Sequence, residues 1–141
     1  MRMRSIAVPV FVLVSCIGVF TEPVLAADLV SVSAHVTFPT ANPGGADEGS
    51  CFISNNTSGD VRVRLDARVV FSDGKVQRLT GISDPGVLPA GGAYELDVFF
   101  VVPSDAALGT AQFVCDANAQ SLVNRNQKEH EVQSASFDVV P

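Results

Sequence analysis

The stretch VRVRLDARVVFSDGK, residues 61–75, decides the fold. Apolar residues occupy every odd position from Val61 to Phe71, and polar residues, three of them arginines, occupy the even positions from 62 to 68. A period of two is typical of a β-strand with one buried face, because successive side chains point to opposite sides. Asp73-Gly74 then predicts a two-residue hairpin turn, since both residues tolerate positive φ, with 75–80 as the return strand.

The same period recurs along most of the chain. Residues 30–38 alternate strictly, and further strands are predicted around Cys51, from Tyr94 to Phe100, over 110–119 and at the C-terminal end. Loops are predicted at 39–49 and 83–92, which are rich in Gly and Pro, and a single helical turn at 103–109. Seven short strands without a long helical pattern predict an all-β, seven-stranded antiparallel immunoglobulin-like sandwich.

Cys51 and Cys115 both fall on the inward phase of their strands, the second and the penultimate. This placement predicts one disulfide that joins the two sheets through the core. The third cysteine, Cys16, lies in the N-terminal segment considered next, which leaves Cys51 and Cys115 as the only possible intramolecular pair.

The first 26 residues have the anatomy of an export signal. Arg2 and Arg4 precede a mostly apolar run, and Val24-Leu25-Ala26 supplies small residues where a signal peptidase cleaves. The run is short for a membrane span. We therefore expect a signal peptide at 1–26, a single domain at 27–141, and a secreted or periplasmic protein. The alternative is a lipid anchor at Cys16, because Leu13-Val14-Ser15-Cys16 resembles a lipobox.

Charge argues against one class of partner. Nine Lys and Arg stand against fifteen Asp and Glu, a formal net charge of −6. An acidic balance of this size argues against nucleic acid as a partner.

Several turn motifs carry a resemblance. Leu88-Pro89-Ala90-Gly91-Gly92 precedes an alternating strand, and Val102-Pro103 and then Gly109-Thr110-Ala111-Gln112-Phe113 follow it. This arrangement resembles the bacterial immunoglobulin-like and CARDB-type domains, over about Asp28 to Val140. The resemblance implies a non-catalytic, adhesive or scaffolding module outside the cytoplasm. The chain departs from true immunoglobulin domains in having no Trp, and in placing Phe113 where they have the corner tyrosine.

Catalytic and metal-binding residues are scarce. His35 lies on the polar phase of the first strand and His130 in a charged stretch, both typical of solvated histidines. A blue-copper site of His35, His130 and Cys115 would lack its methionine, because Met1 and Met3 leave with the signal. Two polar clusters are candidate calcium ligands but lack the spacing of a dedicated site: Asp47 with Glu48, and Asn55, Asn56 with Asp60. We expect no enzymatic activity and no cofactor.

Two surface features are candidates for binding. Arg62, Arg64 and Arg68 share one strand face and form a candidate stripe for an anionic partner such as a glycan or phosphate group; alternatively, they pair with neighbouring acids. Phe99 and Val101 fall on the phase that Glu95 and Asp97 assign to solvent, so either a loop covers them or they contact a partner. We expect a binding or structural module, for a protein or glycan partner. The alternative is an inhibitor or accessory subunit that acts on an extracytoplasmic enzyme through its end loops.

Overall fold

Two β-sheets pack face to face in the computed structural model, which describes residues 28–79 and 83–141. The smaller sheet has the order β1-β3-β7, with β1 at Val30–Val36, β3 at Ala46–Asn55 and β7 at Ala93–Val101. The larger sheet has the order β2-β9-β8-β4-β5, and β6 also pairs with β4. Its strands are β2 (Thr40–Ala41), β4 (Val61–Val70), β5 (Val76–Arg78), β6 (Ser83–Leu88), β8 (Gly109–Ser121) and β9 (Lys128–Val139).

The predicted all-β immunoglobulin-like sandwich is confirmed, with nine strands in the described ranges rather than seven. The two additional strands, β2 and β6, lie inside segments predicted as loops. Within residues 28–79 and 83–141, no helix has the length and apolar character needed to cross a membrane. The predicted cleavage after Ala26 and the candidate anchor at Cys16 fall on residues outside those that the structure describes.

Strand β6 could not be recognised in the sequence because of its composition. It contains Pro85 and Gly86, whose φ of 81° is left-handed, so it lacks the alternation that marks a strand. It nevertheless pairs antiparallel with β4, with a shift of register between Val63 and Leu65. An edge strand tolerates proline because one side of its backbone needs no partner, and a bulge accommodates the irregular geometry.

Strand β2 corrects the prediction of a purely antiparallel sandwich. The chain leaves the smaller sheet at Pro39, whose carbonyl accepts a hydrogen bond from the amide of Asp138 at 2.9 Å. Thr40 and Ala41 then run parallel to the end of β9. Two residues are too few to show a periodicity, so the pairing could not be predicted from the sequence.

Two connections also differ from prediction in detail. The β4–β5 turn has three residues, 72–74, because Phe71 both donates to the Lys75 carbonyl and accepts from the amide of Gly74. Gly74 alone supplies the left-handed residue of this turn, with φ of 87°. The predicted helical turn at 103–109 is irregular, with one turn in which the Ala106 amide donates to the Pro103 carbonyl at 3.0 Å.

The core follows the predicted phases. The odd-numbered residues from Val61 to Val69 are fully buried, and those of β8 from Ala111 to Ala119 are buried opposite β3 and β7. Phe100 lies against Phe113 and Phe137, with ring centroids 6.1 and 5.9 Å apart. The residues on the opposite phases of the strands form the outer faces of the two sheets.

Candidate functional site

The predicted disulfide is confirmed and is part of the core. Cys51 on β3 and Cys115 on β8 are bonded, with their Cα atoms 5.7 Å apart and neither residue exposed. Because β3 and β8 belong to different sheets, the bond joins the two layers at their centres. Both sulfurs are thereby occupied, so Cys115 is no ligand for copper.

The first candidate surface is the β7 apolar face, which we define as Phe99 and Val101. Both side chains lie on the outer side of the smaller sheet, where Phe99 is 80 % exposed and Val101 59 % exposed. Their neighbours on β3 are Glu48 and Ala46. Of the two outcomes expected from the sequence, the described residues place no loop over these side chains.

Strand β7 is also an edge of its sheet, because its only sheet neighbour among the described residues is β3. Glu95 and Asp97 are exposed on the same side as Phe99, and charged side chains are a common protection of a sheet edge. At the end of the strand, Gln77 Nε2 donates to the Val101 carbonyl at 3.0 Å. Phe99 and Val101 therefore lie between the acidic residues of β7 and the end of the strand, where Gln77 binds the Val101 carbonyl.

The arginines of β4 divide into two groups. Arg68 pairs with Asp116 on β8, with Nη1 and Oδ2 3.0 Å apart. Arg62 and Arg64 are exposed and form no ion pair or side-chain hydrogen bond with any residue in the ranges 28–79 and 83–141. The predicted common face is present, but only Arg62 and Arg64 are available to a partner.

Strand register places these two arginines beside polar residues that sequence reasoning did not select. Arg62 lies opposite Gln120, which lies opposite Lys128; in the adjacent row, Arg64 lies opposite Asn118, which lies opposite His130. A concave region of about 450 Å³ lies over them. We call it the basic groove and define it by these six residues: Arg62, Arg64, Asn118, Gln120, Lys128 and His130.

An acidic row borders the basic groove and is already paired. Asp116 accepts from Arg68 and lies 2.6 Å from His130 Nε2, while Asp66 pairs with Arg78 at 3.2 Å. Burial raises the pKa of Asp116, but the hydrogen bonds from Arg68 and His130 and their charges outweigh it, so that its pKa is lowered. Asp116 is thus a carboxylate held in its charged form by both neighbouring strands.

Glu129 also lines the concave region, but one of its carboxylate oxygens contacts the other layer. Its Oε1 accepts hydrogen bonds from the amides of Leu29 at 2.6 Å and Val30 at 3.1 Å, where β1 begins. Burial raises the pKa of this carboxyl, and the two amides only partly offset that effect. Glu129 fastens the first strand to β9, a role the sequence did not suggest.

Two of the residues considered for calcium, Asp47 and Asn55, have structural roles. Asp47 is 2 % exposed, and its Oδ1 accepts from the amides of Phe38 and Glu48. Asn55 is buried and donates to the carbonyls of Gly59, Leu88 and Pro89. In the part of the chain that the structure describes, no three His, Cys, Asp or Glu side chains converge as metal ligands.

Comparison with known proteins finds the fold but no family. No family model and no curated protein matches the chain. The CARDB domain of the PF1109 protein from Pyrococcus furiosus, solved in complex with di-metal ions, has a TM-score of 0.56 at 13 % identity, covering 79 % of this chain and 87 % of that chain. The CARDB-type β-sandwich expected from the turn motifs is therefore confirmed as a fold.

Two further structures have the same fold. The ASH/PapD-like domain 7 of human CEP192 matches with a TM-score of 0.55 and 21 % identity over 87 % of this chain and 94 % of that chain. The DNA glycosylase AlkC of Pseudomonas fluorescens matches with a TM-score of 0.55 and 16 % identity, but 80 % of this chain spans only 31 % of that enzyme. The fold thus occurs as one domain of CEP192 and as part of a larger enzyme, and it assigns no functional residue to this chain.

Proposed function

We propose that this chain is an exported, non-catalytic binding module that holds a protein partner on the β7 apolar face. The observation that carries the proposal is the 80 % exposure of Phe99 on a strand face where Asp97 precedes it by two residues and Glu48 lies opposite. A large aromatic side chain left in water on an edge strand is an aggregation hazard unless a partner covers it. Aromatic residues, Phe among them, are also enriched at protein interfaces relative to the rest of the surface.

The surroundings of Phe99 favour a partner of different charge over a second copy of the chain. Glu95 and Asp97 are exposed on the same face, and the whole chain carries a formal charge of −6. Two copies meeting on this face would bring like charges together, which costs binding energy. A partner with an apolar centre and a basic rim fits both the aromatic ring and the acids.

Export is supported by the signal-like residues 1–26 and by the Cys51–Cys115 disulfide, since such bonds persist in oxidising compartments. The intact mass of the exported protein tests this part of the proposal. A chain that begins at Ala27 is expected. A diacylated chain that begins at Cys16 would instead establish a membrane-tethered module.

The binding part is tested with Phe99→Ser and a matched control, Val123→Ser. Both Phe99 and Val123 are 80 % exposed, but Val123 lies in the β8–β9 loop. Affinity capture from extracytoplasmic extract, quantified for the three proteins, should recover a partner with the parent chain and Val123→Ser, and lose it with Phe99→Ser.

Thermal unfolding and sedimentation accompany the capture experiment. Phe99→Ser should change the free energy of unfolding by less than about 1 kcal/mol, as expected for a surface site. A cost of several kcal/mol, or recovery of the same proteins by Phe99→Ser, would contradict the proposal. If the parent chain self-associates and Phe99→Ser abolishes this, the partner on the β7 apolar face is a second copy of the chain and not a different protein.

A further inference from the structure

The basic groove holds three cations that the fold leaves without partners. Arg68, Arg78 and Lys75 each pair with an aspartate. Arg62, Arg64 and Lys128 have no ion pair with any acid among residues 28–79 and 83–141, although the chain has an excess of acids. Three unpaired cations gathered on one face of an acidic protein create a local positive potential that attracts anions.

The groove adds hydrogen-bonding groups at defined places between those cations. Neighbouring strands lie about 4.8 Å apart, so each arginine on β4 is about 10 Å from its row partner on β9, and the two rows are about 7 Å apart along the strands. Asn118 and Gln120 occupy the middle of the rows. Gln120 is held in place by a hydrogen bond from its Nε2 to the Arg125 carbonyl at 2.9 Å.

Three carboxylates lie in or beside the groove, and each has partners other than the three unpaired cations. Glu129 accepts from two backbone amides of β1, Asp116 is held by Arg68 and His130, and Asp66 pairs with Arg78. None of these three carboxylates forms an ion pair with Arg62, Arg64 or Lys128. The unpaired cations therefore remain available to a ligand that brings its own negative charge.

We propose that the basic groove binds an acidic glycan. Cations at the groove edges suit carboxylate or sulfate groups, with the arginines able to bind them through two parallel hydrogen bonds. Primary amides offer both donors and acceptors, which is what the hydroxyl groups of a sugar require. A ligand made only of acceptors would bind the amide NH₂ groups and leave the amide oxygens without a donor. The groove volume of about 450 Å³ lies within the range of small-ligand sites. This surface is distinct from the β7 apolar face, since it lies on the other sheet.

The test is calorimetric titration at pH 7 with oligogalacturonate, with a sulfated dextran oligosaccharide, and with neutral dextran of equal length. We expect one or both acidic glycans to bind, with an affinity that falls as salt is added, and neutral dextran not to bind. Arg62→Gln/Arg64→Gln should weaken binding tenfold or more, as the loss of charge-assisted contacts predicts.

Lys128→Gln and Lys75→Gln form a matched pair for the same titration. Each removes one lysine charge, but Lys75 lies at the β4–β5 turn, outside the groove. Lys128→Gln should weaken binding several-fold and Lys75→Gln less than twofold. Binding of poly-glutamate of equal charge as tightly as the glycans would overturn the proposal, because the sugar hydroxyls would then contribute nothing. Equal losses in the two lysine variants, or no glycan binding at millimolar concentration, would overturn it as well.

Discussion

Gly49 on β3 lies directly beneath the ring of Phe113 on β8, and a Cβ placed on Gly49 would stand 2.3 Å from the ring atom Cε2. Gly49 is two positions before Cys51, and Phe113 two before Cys115, so this close approach lies beside the disulfide. The absent side chain lets the ring fill the space between the sheets. Phe113 is fully buried there.

Gly49→Ala should therefore destabilise the protein by about 1–3 kcal/mol, because the ring has no free space into which to move. Urea unfolding monitored by circular dichroism measures the change. Ser50→Ala, the next residue on the opposite phase of β3, is the control and should cost far less. Equal effects of the two changes would show that Phe113 moves at little cost.

Replacing both cysteines by alanine should lower the free energy of unfolding by about 4 kcal/mol, since the bond closes a long loop in the unfolded chain. Cys51→Ala alone should yield less folded protein than the double variant, because Cys115 is left as a reactive buried thiol. Peptide mapping without reductant checks the bond directly. Two thiols open to alkylation in the native parent protein would contradict the prediction.

Asp116→Asn should destabilise the protein near neutral pH, by about 1 kcal/mol, through the loss of the charge that Arg68 and His130 share. The folded-state pKa of Asp116 lies below the usual value of 3.8. Its contribution to stability is therefore fully present above that value and disappears as the pH falls through the lowered pKa. Unfolding of both proteins at pH 7 and at about pH 2 should show a difference that vanishes in acid.

Glu129→Gln, unlike Asp116→Asn, should not lower the free energy of unfolding at pH 7. The pKa of Glu129 is raised above 4.5 in the folded state, chiefly by burial. The stability that its protonated form supplies is present below 4.5 and is lost as the pH rises through the raised pKa. A neutral amide that still accepts from Leu29 and Val30 should match or exceed the parent stability at pH 7. A loss as large as that of Asp116→Asn would contradict this assignment.

The sequence allowed prediction of whatever rests on a period of two. The buried phase of β4, the inward cysteines and the outward Phe99 all follow from alternation along one strand, which needs no knowledge of the neighbouring strand. The residues that line the groove with Arg62 and Arg64 could not be found this way. Gln120, Asn118 and Lys128 join them only through the register of β4, β8 and β9, and one sequence does not specify which residues stand opposite.

The burial of certain polar residues could not be predicted from the sequence either. Asp47 and Asn55 belong by composition to solvated loops, yet each binds the backbone of another segment: Asp47 accepts from Phe38 and Asn55 donates to Leu88. Asn and Asp side chains can hydrogen-bond nearby backbone groups in a buried segment and in a surface turn alike, so their presence does not distinguish the two. Only the folded chain distinguishes the two, because burial is a property of the packed layers.

The disulfide joins the middle strand of the smaller sheet to β8 in the interior of the larger sheet, so the two outer faces point in opposite directions from one rigid block. The β7 apolar face looks outward from one layer and the basic groove from the other. Ligands of the two surfaces would not compete for space, and neither would need the other to leave. Under the two proposals above, the chain would act as a bridge, with a protein bound on one side and an acidic glycan on the other.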